Sequence, residues 1–137
     1  MATPRHIIVA DDDESVRLTL AEILSEDGYS VSLARNGEAV REIVGRGVRV
    51  DLVVLDSLMP GEPSASLAAH LGDLRIPFVA ISGHPLRMRS AAEQGLQLLE
   101  KPFRIEALEA AIEEAFASGK FGQRRRTGPG AIARNWH

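Results

Sequence analysis

The chain has 137 residues, of which 45% are hydrophobic and 26% charged, a size and composition that suit one folded domain with one core. It contains no cysteine, which excludes disulfides and thiolate metal sites, and its four histidines lie far apart, so any metal would be held by oxygen ligands. No apolar run approaches the ~20 residues that span a bilayer, and acidic residues come too early for a signal peptide, so a cytoplasmic protein without a membrane span is expected.

Charge is unevenly distributed along the chain, whose net charge is −3. Residues 120–137 carry +5 and no acidic residue, which leaves −8 on the preceding residues. An acidic body is a poor surface for nucleic acid, and we expect no DNA-binding domain. The composition predicts a folded domain over residues 1–118 and a basic, disordered tail over residues 119–137.

Strand and helix patterns alternate from the first residues onward. A short apolar run over residues 6–10 predicts a strand, and the apolar spacing after it predicts a helix that Asp13 caps and Gly28 ends. Residues 29–33 alternate as a strand with one wetter face. A second helix follows, and its boundary residues are Asn36 and Gly37 at the start and Gly45 and Gly47 at the end.

The alternation continues in the second half of the chain. The apolar run over residues 50–55 is typical of a strand buried on both faces. The further predicted elements are a helix over 65–74, a strand over 78–81, a weak helix over 85–94, a strand over 96–99 and a helix over about 104–118. The apolar stripe of the last helix comprises Ile105, Leu108, Ile112, Ala115 and Phe116. Five strand–helix units with right-handed crossovers predict an α/β protein with a parallel sheet between two layers of helices.

Polar residues follow four of the predicted strands at their carboxyl ends. They are Asp11 and Asp12 after the first strand, Asp56 after the third, Ser82 after the fourth and Lys101 after the fifth. Because parallel strands end at one edge of a sheet, we expect these residues to meet there. Three carboxylates would repel one another, so a hard divalent cation such as Mg²⁺ is the natural counter-charge. The alternative is that the run of acids beginning at Asp11 only caps the first helix.

Lys101 stands out because the chain has 14 arginines and only two lysines. A lysine directly after a buried strand indicates a need for a compact point charge, although an ordinary surface lysine is the alternative. Ser82 adds a hydroxyl donor, and Gly83 lets a backbone N–H approach an anion closely. A carboxylate nucleophile, a metal, a lysine and a hydroxyl together predict a phosphoryl-transfer site.

The motifs, in this order, resemble those of the receiver domains of bacterial two-component response regulators over residues 5 to about 118. The motifs that carry the resemblance are Asp11-Asp12, Asp56 followed by Met59-Pro60-Gly61, Ser82-Gly83 and Lys101-Pro102-Phe103. The resemblance implies a flavodoxin-like (βα)5 sandwich whose five parallel strands have the order 2-1-3-4-5. Since no further domain is predicted, the stand-alone, single-domain type is expected.

The resemblance also implies a role for each site residue. Asp56 would accept a phosphoryl group from a sensor histidine kinase or a histidine phosphotransfer protein. The implied Mg²⁺ ligands are Asp11, Asp12, Asp56 and the backbone carbonyl of Leu58. The implied phosphoryl-binding groups are Ser82, the amide of Gly83 and Lys101. A cis Lys101–Pro102 bond is also implied. Such a protein is not an enzyme beyond self-phosphotransfer and autodephosphorylation, and it signals through contact with an unknown downstream protein or a homodimer.

The chain departs from this family between Ser82 and Lys101. Leu98 stands where the family usually has an aromatic residue, and the segment is about three residues shorter than usual, nearly one helical turn. We therefore expect the helix over residues 85–94 to be shortened or loosely packed. His84 has a possible role in setting the lifetime of the phosphoryl group, beside the alternative of a loop histidine without a role.

Two other functions are weighed against the phosphoacceptor. One is a receiver-like binding module that is never phosphorylated, against which the complete set of site residues argues. The other is a haloacid-dehalogenase-like phosphatase that uses Asp11 as its nucleophile, because Asp11 and Asp13 match the Asp-x-Asp opening of those enzymes. The phosphatase hypothesis leaves Asp56 without a role. Those enzymes also need a further acidic pair at a strand end after the lysine, and the acids after Lys101 lie instead on the polar face of a predicted helix.

Overall fold

A computed structural model describes residues 4–56, 64–82 and 97–117 of the chain. The strands are β1 (His6–Ala10), β2 (Ser30–Ala34), β3 (Leu52–Asp56), β4 (Phe78–Ser82) and β5 (Gln97–Glu100). The helices in these residues are α1 (Glu14–Glu26), α2 (Gly37–Gly45), α3 (Ser64–Asp73) and α4 (Ile105–Ala117). The predicted helix over residues 85–94 and the predicted tail over residues 119–137 lie outside the described residues, so the domain boundary stays a prediction.

The strands form one parallel sheet in the order β2-β1-β3-β4-β5, which confirms the predicted topology. Strand β3 is buried along its whole length because it lies between β1 and β4 and both faces of the sheet are covered. None of the helices in the described residues is long and apolar enough to cross a membrane.

Two hydrophobic cores lie on opposite faces of the sheet. Successive side chains of a strand point to opposite faces, so along β1 Ile7 packs into one core and Ile8 into the other. Helices α1 and α4 cover the first core through Leu20, Leu24, Leu108 and Ile112. Helices α2 and α3 cover the second core through Val40, Leu67 and Leu71. The result is the predicted three-layer sandwich.

The predicted boundaries of the first two helices are confirmed by their capping contacts. The Asp13 carboxylate accepts a hydrogen bond from the Val16 N–H at 3.2 Å, and the Asn36 side chain accepts one from the Ala39 N–H at 2.8 Å. Gly28 has a φ of 97°, the left-handed conformation that suits glycine after a helix. The capping residues thus fix where α1 and α2 begin and where the chain turns toward β2.

The predicted apolar stripe of α4 was wrong at its first residue. Ile105 is 48% exposed, whereas Leu108, Ile112 and Ala115 are buried as expected. Ile105 is the first residue of the helix and lies beyond the part that packs on the sheet. Ala111, which was not in the predicted stripe, is buried instead.

Candidate functional site

Three carboxylates meet at the carboxyl edge of the sheet. Asp11 and Asp12 directly follow β1, and Asp56 is the last residue of the neighbouring strand β3. One carboxylate oxygen from each of the three lies within 4.8 Å of those of the other two. Asp11 and Asp56 are buried, and Asp12 is exposed. The convergence expected from the strand ends is therefore present in the fold.

Asp11 is held by contacts from both sides of the site. Its backbone N–H donates to the Ala34 carbonyl at 3.1 Å, and its own carbonyl accepts from Arg17 Nη1 at 2.8 Å. Its Oδ1 accepts from the Asp13 N–H at 2.9 Å. No hydrogen-bond donor in the described part of the chain reaches the buried Oδ2, which lies 3.5 Å from Lys101 Nζ. A buried carboxylate oxygen in this position is suited to a cation.

Lys101 reaches the same group of acids from the end of β5. Its Nζ lies 3.5 Å from Asp11 Oδ2 and 3.8 Å from Asp56 Oδ1. The Lys101–Pro102 peptide bond is cis, as the resemblance implied. One ammonium group against three carboxylates leaves a formal charge of −2 at the site, which suits a divalent cation.

Ser82, the last residue of β4, is placed at the same edge of the sheet. Strand β4 lies between β3 and β5, with Ile81 in register with Asp56 and Ser82 in register with Glu100. The other predicted groups lie outside the described residues, namely the Leu58 carbonyl, the Met59-Pro60-Gly61 turn, the Gly83 amide and His84. Leu98 is in β5, where it is in register with Ala80.

The run of acids after β1 is divided between helix capping and the carboxylate group. Asp13 caps α1, whereas Asp11 and Asp12 belong to the carboxylate group. Arg17 was missed by the sequence reasoning, although its guanidinium fixes the Asp11 carbonyl at 2.8 Å. The available signal was the position of an arginine one turn into α1, three residues after the acidic run ends at Glu14.

Comparisons with known proteins identify the family of this chain. The family model for the response regulator receiver domain matches residues 7–113. The chain is 34% identical over 119 residues to the transcriptional regulatory protein FixJ of Rhizobium meliloti, an alignment that covers 80% of this chain and 58% of FixJ. It is 35% identical over 119 residues to the transcriptional regulatory protein PdtaR of Mycobacterium tuberculosis, covering 83% of this chain and 58% of PdtaR.

Solved structures give the same result. A response regulator receiver protein from Sinorhizobium medicae has 28% sequence identity and a TM-score of 0.73, and the match covers 85% of this chain and 97% of that one. The chain spans a little over half the length of the two curated relatives, 58% in each case. The flavodoxin-like fold and the resemblance carried by the motifs are both confirmed, and the chain belongs to the response regulator receiver domain family of two-component signalling.

Proposed function

We propose that Asp56 is the phosphoacceptor of this receiver and takes its phosphoryl group from the phosphohistidine of a sensor histidine kinase or a histidine phosphotransfer protein. Receiver domains take phosphoryl groups from histidine kinases and bind Mg²⁺ at an acidic pocket. The observation that carries the proposal is the group formed by Asp11, Asp12 and Asp56 within 4.8 Å, with Lys101 Nζ beside two of its members.

The transfer is a substitution at phosphorus. An oxygen of the Asp56 carboxylate attacks the phosphorus atom, the bond from phosphorus to the donor imidazole nitrogen breaks, and the electron pair leaves with that nitrogen. The product is an acyl phosphate on Asp56. The Asp56 residue is only 5% exposed, and this burial limits the access of water to the reacting carboxylate.

Mg²⁺ fits the charge and the ligand types of this site. Asp11, Asp12 and Asp56 would hold it, together with the Leu58 carbonyl that the family pattern implies. When bound, the ion supplies positive charge to the phosphoryl oxygens during transfer. Asp11 is prepared for this role because the Asp13 N–H and Arg17 hold it in place while its Oδ2 receives no hydrogen bond from the described residues.

Lys101 supplies the second positive charge. Its ammonium group bridges Asp11 and Asp56 before transfer. After transfer the negative charge of Asp56 moves outward onto the phosphoryl oxygens, and the flexible lysine side chain can follow it. Ser82 and the Gly83 amide are the groups proposed to bind the remaining phosphoryl oxygens.

The output of the domain is proposed to be contact with another protein. The chemistry of the chain is then limited to accepting and losing its own phosphoryl group, as in a phosphorelay or a phosphate sink. A downstream protein or a second copy of the chain would read the phosphorylated state.

Intact-protein mass spectrometry after incubation with acetyl phosphate tests the proposal. We expect the mass of one phosphoryl group to be added in the presence of Mg²⁺, and little addition when EDTA removes the metal. Asp56→Asn should abolish the addition, whereas Asp73→Asn, which removes an exposed carboxylate at the end of α3, should leave it unchanged. Full phosphorylation of Asp56→Asn would contradict the proposal.

A further inference from the structure

A second charged site lies at the amino ends of the strands, whereas the three carboxylates lie at their carboxyl ends. It is a cleft of about 260 Å³ whose lining includes Arg5, Arg49, Arg75, Asp51, Pro77 and Phe116, and it is called the basic cleft below. Asp51 directly precedes β3, whereas Asp56 is the last residue of β3. A strand of this length separates the two ends by roughly 16 Å, so the basic cleft is distinct from the phosphoacceptor site.

The topology of the sheet explains why three arginines meet here. Arg5 precedes β1, Arg49 lies just before β3, and Arg75 lies just before β4. Strands β1, β3 and β4 are neighbours in the sheet, so their amino ends are adjacent. Helix α4 runs back across the sheet and brings Phe116, near its carboxyl end, to the same edge.

Asp51 neutralises only one of the three arginines, because one of its oxygens pairs with Arg49 and the other accepts a backbone hydrogen bond. Its Oδ1 accepts from Arg49 Nε at 3.0 Å, and its Oδ2 accepts from the His6 backbone N–H at 2.8 Å. His6 Nδ1 lies 2.7 Å from the Arg49 carbonyl, which further fixes the segment before β3. Three guanidinium groups and one carboxylate give the basic cleft a formal charge of +2.

The other two arginines are positioned by different means. The guanidinium carbon of Arg5 lies 4.1 Å from the centre of the Phe116 ring, a cation–π contact. Arg75 has a φ of 61°, a conformation uncommon for a residue with a side chain, and its N–H donates to the Gly72 carbonyl at 3.0 Å. The exposed Arg75 side chain forms no ion pair with any residue that the structure describes.

We propose that the basic cleft binds a phosphoryl-bearing anion, either a free polyphosphate or the phosphate groups of a nucleotide. A planar guanidinium group can donate two parallel hydrogen bonds to two oxygens of one phosphoryl group. The formal charge of +2 on the basic cleft suits a dianion. The cleft volume of about 260 Å³ is large enough for one or two phosphate groups. The proposal is independent of phosphorylation at Asp56.

Titration of pyrophosphate into the Mg²⁺-free protein, followed by isothermal calorimetry, tests this site. Without Mg²⁺ the three carboxylates repel anions, so the acidic site does not compete. We expect saturable binding that weakens as NaCl is raised and that is at least about tenfold weaker in Arg75→Gln. Thermal unfolding of the variant, in the absence of ligand, checks that the fold is intact.

Arg46→Gln is the matched control. Arg46 is an exposed arginine at the end of α2, paired with Glu42 at 3.8 Å, and it does not line the basic cleft. The control removes the same charge and keeps the basic tail, so it should bind pyrophosphate like the unsubstituted chain. Equal weakening in Arg46→Gln and Arg75→Gln would show a general charge effect and overturn the proposal.

Two further arms separate the possible sources of the anion. Tighter binding of ATP than of pyrophosphate, with the same dependence on Arg75, would identify a nucleotide as the ligand. Equal binding would identify the phosphate groups alone, and both results support the proposal. No saturable binding of either compound up to about 10 mM, or binding of a polyglutamate peptide in place of both, would overturn it.

Discussion

At the scale of single residues, the site depends on how differently the two oxygens of Asp11 are used. Oδ1 accepts the Asp13 N–H at 2.9 Å, whereas Oδ2 is buried, lies 3.5 Å from Lys101 Nζ and has no hydrogen-bond donor in the described residues. A buried carboxylate oxygen without a donor is costly unless a cation compensates it. Lys101 compensates it in part, and a divalent cation would complete the compensation.

Replacement of Lys101 by methionine should tighten Mg²⁺ binding. The ammonium group lies within 3.8 Å of two of the three carboxylates and therefore repels a cation bound among them. A repulsion of about 1 kcal/mol in a partly hydrated site corresponds to about fivefold in affinity. Isothermal calorimetry should show this gain in Lys101→Met but not in Lys101→Arg, which keeps the charge. Unchanged or weaker Mg²⁺ binding in Lys101→Met would contradict the assigned role.

The principal charged residues of the site could be predicted from the sequence because their chemistry coincides with the ends of strands. Asp11, Asp56 and Lys101 each follow or end a short apolar run, and parallel strands bring such positions together. Arg17 could not be predicted in the same way. Its hydrogen bond to the Asp11 carbonyl depends on the rotation of α1 about its own axis, which only packing against the sheet determines.

At the scale of elements, replacing two glycines near helix ends by alanine should have opposite effects on the free energy of unfolding. Gly28 has a φ of 97°, whereas Gly72 lies inside α3, and no heavy atom lies within 4 Å of a Cβ built on either residue. Gly28→Ala should therefore lower the free energy of unfolding by about 1–2 kcal/mol through backbone strain alone. Gly72→Ala should raise it by about 0.5 kcal/mol because alanine favours a helix. Chemical denaturation measures both, and a loss of stability in both variants would contradict this explanation.

Two carboxyl groups lie side by side between the helices, Asp27 at the end of α1 and Glu109 in α4. The pKa of Glu109 is raised above its ordinary value of 4.5, chiefly by a side-chain hydrogen bond with Asp27, then by desolvation and by the charges of Asp27, Glu106 and Glu113. A raised pKa means that the folded state binds the proton more tightly than the unfolded chain does. This contribution to stability is fully present below pH 4.5 and is lost as the pH rises through the raised folded value.

Glu109→Gln should therefore raise the Tm at neutral pH. Glutamine can donate an amide hydrogen to Asp27 without carrying a charge, so the advantage over glutamate should shrink as the pH falls below 4.5. Calorimetric scans from pH 4 to pH 8 measure the difference, with Glu22→Gln on the exposed face of α1 as the control. A Tm difference that does not depend on pH would contradict the raised pKa of Glu109.

Most element boundaries were predictable because capping residues and apolar runs mark them locally. Asp13 and Asn36 start their helices as expected, and β3 is buried on both faces as its unbroken apolar run indicated. Ile105 was misassigned because helical periodicity shows which face is apolar but not how far the sheet extends beneath the helix. The extent of the sheet is a tertiary property that a single segment does not contain.

At the scale of the whole molecule, the sheet holds two charged sites at its opposite edges. The carboxylates lie at the carboxyl ends of the strands, and the basic cleft lies at the amino ends. Two separate cores fix the sheet between its helices, one on each face. The three carboxylates repel one another, and this repulsion lowers the stability of the domain. A bound cation should relieve the repulsion and so stabilise the entire domain.

Mg²⁺ should raise the Tm of the domain in proportion to the logarithm of its concentration. At a concentration of 100 Kd the gain in the free energy of unfolding is about 2.7 kcal/mol. Asp12→Asn removes one of the three carboxylates and should lose most of this gain. Asp13→Asn is the matched control, because asparagine caps a helix as well as aspartate does and Asp13 is not in the carboxylate group. Equal loss in the two variants would contradict the proposed ligand set.

Locating the phosphoryl group within the chain tests the assignment of Asp56 most directly. Borohydride reduction of the protein after phosphorylation converts an aspartyl phosphate to homoserine, which peptide mass spectrometry can place. We predict that the modification occurs at position 56, where β3 ends beside Lys101. Modification at position 11 would instead make Asp11 the nucleophile and would contradict the assignment of Asp56 as the phosphoacceptor.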